Sequence, residues 1–133
     1  MLRKVSHIGI AVENLEEART FFQENFDLST SDQEKFGELI FSFIPMRGTN
    51  LELLQSTETG GQIANFIRKR GQGIHHIALE VDNIQDELDR LKARGIKLIN
   101  EKPYLNAHKE LVAFIHPKST YGVLIELIEG KQE

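Results

Sequence analysis

The chain has 133 residues, 40% hydrophobic and 27% charged, with a formal net charge of -4. That is one ordinary domain with enough apolar material for a core, which excludes a disordered chain. Its mild acidity and lack of a basic arm argue against nucleic acid or an anionic membrane as a main partner. No cysteine is present, so disulfides and thiolate metal sites are excluded, and any metal must be held by nitrogen and oxygen. The longest apolar runs fall well short of the ~18 residues that span a bilayer. The N-terminus runs straight into a strand-like segment with no signal-peptide core, so a cytoplasmic location is expected.

Residues 5–12 alternate as a strand should. A helix begins near Glu13-Asn14, with Leu15, Ala18, Phe21 and Phe22 on its core face and Glu16, Glu17 and Arg19 outward. Residues 38–43 form a strand, 45–50 a turn and 51–54 a second strand. Residues 63–70 read as a short amphipathic helix closed by Arg68-Lys69-Arg70, a solvated helix end or an anion contact. Gly71 and Gly73 bound the turn that follows. Residues 77–81 are a strand, Asp82-Asn83 caps a helix with core positions Ile84, Leu88 and Leu91, and Gly95 ends it. Residues 96–99, 111–115 and 123–128 read as the remaining strands.

An internal repeat organises these elements. His7-Ile8-Gly9-Ile10-Ala11-Val12-Glu13-Asn14-Leu15 matches His76-Ile77-Ala78-Leu79-Glu80-Val81-Asp82-Asn83-Ile84, 69 residues later. Leu51-Glu52-Leu53-Leu54 likewise matches Ile125-Glu126-Leu127-Ile128. The His-to-Glu spacing is 45 residues in the first copy and 50 in the second. Each copy is a β-α-β-β-β module: residues 1–60, then a linker helix and turn at 61–73, then residues 74–133. One helix and four strands cannot bury both faces of a sheet, so the modules are expected to pack together or to pair across a dimer.

A glutamate between leucines is costly to bury unless it is paired or binds a cation. Two such acids and two strand histidines at repeat-related positions explain one another if His7, Glu52, His76 and Glu126 converge on a metal. In Ile74-His75-His76-Ile77 only one histidine can face a given side, and the repeat selects His76. His75 is left a packing or supporting role. Glu80 shares a strand face with His76 but has Ala11 as its counterpart, and is read as structural. Arg47 lies in a generic turn.

These motifs resemble the vicinal oxygen chelate superfamily, which includes glyoxalase I, extradiol dioxygenases and drug-binding resistance proteins. The strings G-Q-G-I-H-H-I-A-L-E-V-D-N-I (Gly71 onward) and F-I-H-P-K-S-T-Y-G-V-L-I-E-L (Phe114 onward) resemble its methylmalonyl-CoA epimerase branch. The resemblance covers nearly the whole chain as a single domain, 1–133. It implies an α+β fold whose two modules form a cup-shaped, largely antiparallel curved sheet around a metal site. By resemblance His7, His76 and Glu126 are metal ligands, and Glu52 stands where the family has Gln or Glu. One divalent ion is implied, with Zn, Co, Mn, Ni and Mg all compatible. Also implied are an acyl-CoA or other thioester substrate, a homodimer, and epimerisation through a metal-stabilised enolate. Glu126 is then the leading acid/base, Glu38 a weaker second, and His108 and Lys118 candidate substrate contacts. Where epimerase-like sequences often read G-A-H-G, this chain has Asn106-Ala107-His108-Lys109. A glyoxalase I-type lactoylglutathione lyase is the alternative activity, and a non-catalytic drug-binding protein the alternative of another class. An extradiol dioxygenase fits less well, because its iron takes three protein ligands.

Overall fold

The computed structural model describes residues 1–131, so the last two residues assigned to the second module lie outside the described residues. In chain order the elements are β1 (Leu2–Ala11), α1 (Leu15–Phe26), β2 (Glu34–Phe36), β3 (Leu39–Ile44), β4 (Asn50–Ser56), α2 (Gln62–Arg70), β5 (Gly73–Val81), α3 (Ile84–Ala93), β6 (Tyr104–Leu105), β7 (Glu110–Ile115) and β8 (Ile125–Lys131). A 3-10 turn, Pro117–Ser119, precedes β8. The order is β-α-β-β-β twice with α2 between, the α+β content expected from the repeat. The chain divides into two compact units: His7–His75, and Met1–Ser6 joined to His76–Glu133. The linker helix therefore packs with the first module, while the start of β1 belongs to the second unit.

Helix starts are built alike in the two units. Asn14 and Asn83 are extended, and their side-chain oxygens accept from Glu17 N and Asp86 N. Each cap satisfies a backbone donor that the helix itself leaves open. A second tie fixes the first helical N–H to the sheet: Leu15 N donates to Gln55 Oε1 and Ile84 N to Glu129 Oε1, both at 2.8 Å. Gln55 and Glu129 each stand three residues after a repeat glutamate, so the strands that carry Glu52 and Glu126 are anchored to their own helices.

In the His7–His75 unit the strand order is β2-β3-β4-β1. Strands β2, β3 and β4 are antiparallel, and the His7–Ala11 stretch of β1 runs parallel to β4. Alternation divides the sheet into two faces. Val12, Leu15, Ile44 and Leu53 pack under α1 with Ala18, Phe22 and Ile40. Ala11, Phe41, Leu54 and Ile63 pack under α2 with Phe43 and Phe66. Glu52 pairs with Phe43 in register and so shares the α2 face.

The other unit repeats the scheme. Its order is β5-β8-β7-β6, with β5 parallel to β8 and the remaining pairs antiparallel. Helix α3 buries Ile84 and Leu88 against Val81, Ala113, Ile115 and Leu127. Ala78, Val112 and Ile128 pack on the opposite face. At the free end of β5, Asp82 N donates to Met1 O, and Arg3 pairs with Asp82 at 2.6 Å and Glu80 at 3.3 Å.

Several sequence expectations need correction. Phe21 is 52% exposed, because the buried face of α1 is the 15-18-22 stripe; it stacks instead on Phe22 and Phe26. Arg19 is not simply outward: it donates to Glu16 and to Ser31 O, and its side chain is largely covered. The stretch at residues 96–99 makes only one isolated bridge, Leu98 to Ile115, since the Asn100 side chain takes the Phe114 N–H that a strand carbonyl would accept. The last strand begins at Ile125, after a turn in which Val123 N donates to Thr120 O.

Glu87 is the one buried acid of α3, bonded by the Met1 ammonium at 2.5 Å and by Arg90 at 2.9 Å. These donors lower its pKa: the Met1 hydrogen bond contributes most, then that of Arg90, against the opposing effect of burial. A lowered carboxylate pKa stabilises the fold above the ordinary glutamate value and loses that stabilisation as pH falls through the folded value. Urea denaturation of Glu87→Gln should therefore show a stability deficit at neutral pH that closes as the pH is brought below about 4.

Candidate active site

Each unit brings its repeat histidine onto its repeat glutamate. His7 Nε2 lies 3.3 Å from Glu52 Oε1, and His76 Nε2 lies 3.2 Å from Glu126 Oε1. All four side chains are about nine-tenths buried. The parallel pairing is what makes this possible. Glu52 stands opposite Gly9, and Glu126 opposite Ala78, with the histidine two residues earlier on the same face. Small residues at those two places leave the glutamate free to lean along the neighbouring strand to the imidazole. Behind each imidazole is one aromatic edge: Phe43 against His7 at 6.1 Å and Phe114 against His76 at 5.9 Å, both near perpendicular. The two phenylalanines are register partners of the two glutamates. The repeat thus extends to a His–Glu–Phe triplet in each unit, and the phenylalanines went unnoticed in the sequence, although a full-length repeat alignment would have paired them.

The donor atoms suit a divalent ion. Donors about 2.1 Å from a common ion and about 100° apart sit about 3.2 Å from each other, the separation found in each pair. Nitrogen with carboxylate oxygen suits borderline or hard divalent metals.

The other sequence-predicted residues fall elsewhere. Glu38 is exposed in the turn between β2 and β3, where its carbonyl accepts from Thr57 N and its carboxylate lies near Gly61 at the start of α2. The next residue, Leu39, pairs with Ser56, so Glu38 is about 16 Å along β4 from Glu52. His75 stacks edge-on against Phe66 at 5.0 Å, a packing role on α2. Glu80 pairs with Arg3. His108 is partly buried in the turn between β6 and β7, and Lys118 is exposed in the 3-10 turn. Of the basic run, Arg68 donates to Thr59 O and to the Asn65 side chain, and Arg70 stands 5.9 Å over the Phe66 ring.

One residue near Glu126 had no signal in the sequence. Tyr104 pairs with Val112 and so lies on the face of Phe114 and Glu126. Its phenol pKa is raised, first by burial and then by the negative charge of Glu126.

Comparisons with known proteins agree with this architecture. Residues 6–114 match the family described as Glyoxalase/Bleomycin resistance protein/Dioxygenase superfamily. The chain is 37% identical to the mitochondrial methylmalonyl-CoA epimerase of Dictyostelium discoideum, over 95% of this chain and 78% of that protein. It is 35% identical to the ethylmalonyl-CoA/methylmalonyl-CoA epimerase of Cereibacter sphaeroides, over 96% and 98%. The crystal structure of methylmalonyl-CoA epimerase from Mycobacterium tuberculosis superposes with a TM-score of 0.91 at 27% identity, covering 98% of this chain and 90% of that one. The chain belongs to the glyoxalase/bleomycin resistance/dioxygenase superfamily. Within it the chain is an epimerase-like isomerase, similar over nearly its whole length to these enzymes.

Tyr104 provides a spectroscopic check on the site face. In metal-free protein one phenol should ionise above the ordinary tyrosine value near 10, and Glu126→Gln should lower that value only in part, because burial is the larger cause. Titration at the phenolate absorbance band tests this; an unchanged value in Glu126→Gln would separate the two groups.

Proposed function

We propose that this enzyme interconverts the two epimers of methylmalonyl-CoA, using one divalent cation held jointly by His7, Glu52, His76 and Glu126. The observation that carries the reading is the twice-built, buried His–Glu pair, on a chain similar to methylmalonyl-CoA epimerases from end to end. Either pair alone supplies only half of a four-donor shell. A bound cation would supply Lewis-acid neutralisation of charge that builds on a thioester oxygen.

The remaining chemistry belongs to side chains of the chain. The α-proton of a 2-methyl-malonyl thioester is acidic enough to be moved by a positioned carboxylate, and the C–H electron pair then delocalises into the thioester carbonyl as an enolate. Glu126 is the proposed acid/base on one face of that carbon. Its burial beside His76 and Phe114 keeps bulk water from the reacting carbon. His108 and Lys118 are proposed contacts for the anionic parts of the substrate. The same reading carries a cytoplasmic location and a homodimer, and light scattering on the purified protein checks the dimer.

Three measurements test it. Elemental analysis should find one divalent ion per chain, and His7→Ala or His76→Ala should each lower that content; two ions per chain would separate the pairs. In deuterated water the wild type should scramble the α-centre of one methylmalonyl-CoA epimer with deuterium uptake, and Glu126→Gln should lose about 10²- to 10⁴-fold in rate. Turnover of the hemithioacetal of methylglyoxal and glutathione, with no exchange on methylmalonyl-CoA, would replace this reading by the lyase.

A further inference from the structure

Helix α2 closes on Arg68-Lys69-Arg70, an exposed basic run that the chemistry at the glutamates does not use. A helix C-terminus favours positive charge beside its open carbonyls, but that preference does not account for this run. Helix α1 ends with no basic residue. The basic residues in the last turn of α3 are neutralised, Arg90 by Glu87 and Lys92 by Glu101. Among the described residues no carboxylate pairs with Arg68, Lys69 or Arg70, in a chain where 20 acids face 16 bases. We infer that this turn binds the phosphates at the nucleotide end of a coenzyme A thioester, an assignment that rests on the epimerase reading above.

Its place in the His7–His75 unit is the reason. Helix α2 covers Ala11, Phe41 and Leu54 on the sheet face that carries Glu52. Just past the basic run, Gln72 Oε1 accepts from Glu13 N at 2.8 Å, which ties the end of α2 to the end of β1. His7 lies four residues back from Ala11 on the same face, about 13 Å along the strand. In coenzyme A a chain of about 13 bonds joins the thioester sulfur to the first phosphorus, a reach on the order of 16 Å when extended. The two lengths match, so a thioester held at His7 and Glu52 can set its phosphates at the last turn of α2.

The side chains suit that ligand. A guanidinium presents paired donors to phosphate oxygens, and an ammonium adds a point charge. Both guanidiniums are already positioned. Arg68 donates to Thr59 O and to the Asn65 side chain, and neither partner neutralises its charge. Arg70 stands 5.9 Å over the Phe66 ring, which His75 supports edge-on at 5.0 Å. Little side-chain freedom is then lost on binding. The net charge of -4 repels a long polyanion, so the run fits a compact group of phosphates rather than a nucleic acid.

Kinetics on two thioesters test the assignment. Wild type, Lys69→Glu and the triple variant Arg68→Gln/Lys69→Gln/Arg70→Gln are compared on methylmalonyl-CoA and on methylmalonyl-pantetheine, which keeps the arm and lacks the phosphates. Thermal melting is measured alongside, and calorimetry follows binding of adenosine 3′,5′-bisphosphate. The triple variant should raise KM for the CoA thioester about 10-fold with little change in kcat, and leave KM for the pantetheine thioester unchanged. Lys69→Glu, an exposed position, should shift KM in the same direction, and it decides the matter if the triple variant does not fold. Added salt should raise the wild-type KM for the CoA thioester only. An active wild type whose variants keep the same KM for the CoA thioester, or lose equally on both thioesters, overturns the phosphate site alone. A wild type inactive on both thioesters overturns the epimerase reading; adenosine bisphosphate binding that the variants lose would then still support the site, and no such binding would overturn it too.

Discussion

A carboxylate inside an apolar strand is the constraint on which the rest of this structure turns. Glu52 and Glu126 each interrupt a run of leucine and isoleucine, and burial without a partner would cost several kcal/mol. Each unit meets that cost in the same way, with an imidazole on the adjacent parallel strand about 3.2 to 3.3 Å away. The neighbour directly opposite the glutamate must then be small, and it is Gly9 in one unit and Ala78 in the other. The repeated H-I-G and H-I-A segments thus encode a geometric need: an imidazole for the acid, a residue pointing to the helix face, and a gap for the acid.

Placement of the pair depends on the opposite side of the sheet. Gln55 and Glu129 hold the first N–H of α1 and α3, and both sit three residues beyond a repeat glutamate, hence on the other face. Helix docking and site geometry are therefore set by one strand in each unit. The helix fixes that strand by its cap and its apolar stripe, and the strand fixes the acid. Loss of Leu88, the fully buried side chain that α3 sets against Leu127, would cost about 2 to 5 kcal/mol and loosen the strand that carries Glu126.

The sequence made the α+β fold and its helices legible, because both rest on local periodicity and on a repeat that duplicates a rare pattern. It was less informative where side chains replace backbone partners. Asn100 takes the Phe114 N–H, so the stretch at residues 96–99 has strand-like composition without a ladder. Residues 34–36 are too short for alternation to register, and Gly37 at φ 61° makes the tight turn that Glu38 shares. Glu38 was consequently read as a strand residue, whereas it lies in that turn. Tyr104 escaped for a related reason. Its strand is two residues long, and its counterpart in the other copy is an acid rather than an aromatic, so no repeat match could reveal it.

The altered loop before β7 bears on how far the epimerase likeness extends. Glycines at residues 106 and 109 would have supplied backbone freedom, and this chain has Asn and Lys there. Lys109 nevertheless adopts φ 61°, the left-handed conformation that glycine takes at no steric cost. Asn106 holds the turn in place of that freedom. Its side-chain oxygen accepts from His108 N at 2.9 Å and Glu110 N at 3.0 Å, and its amide donates to the Glu110 carboxylate. Two hydrogen bonds of about 1 kcal/mol each are enough to offset one left-handed lysine. The turn therefore keeps a backbone course that glycine would favour, and His108 is held at its centre by its own N–H. What the substitutions remove is the bare backbone surface rather than the path of the chain. The turn thus leads into a β7 that keeps its ladder with β8 and sets Phe114 edge-on to His76.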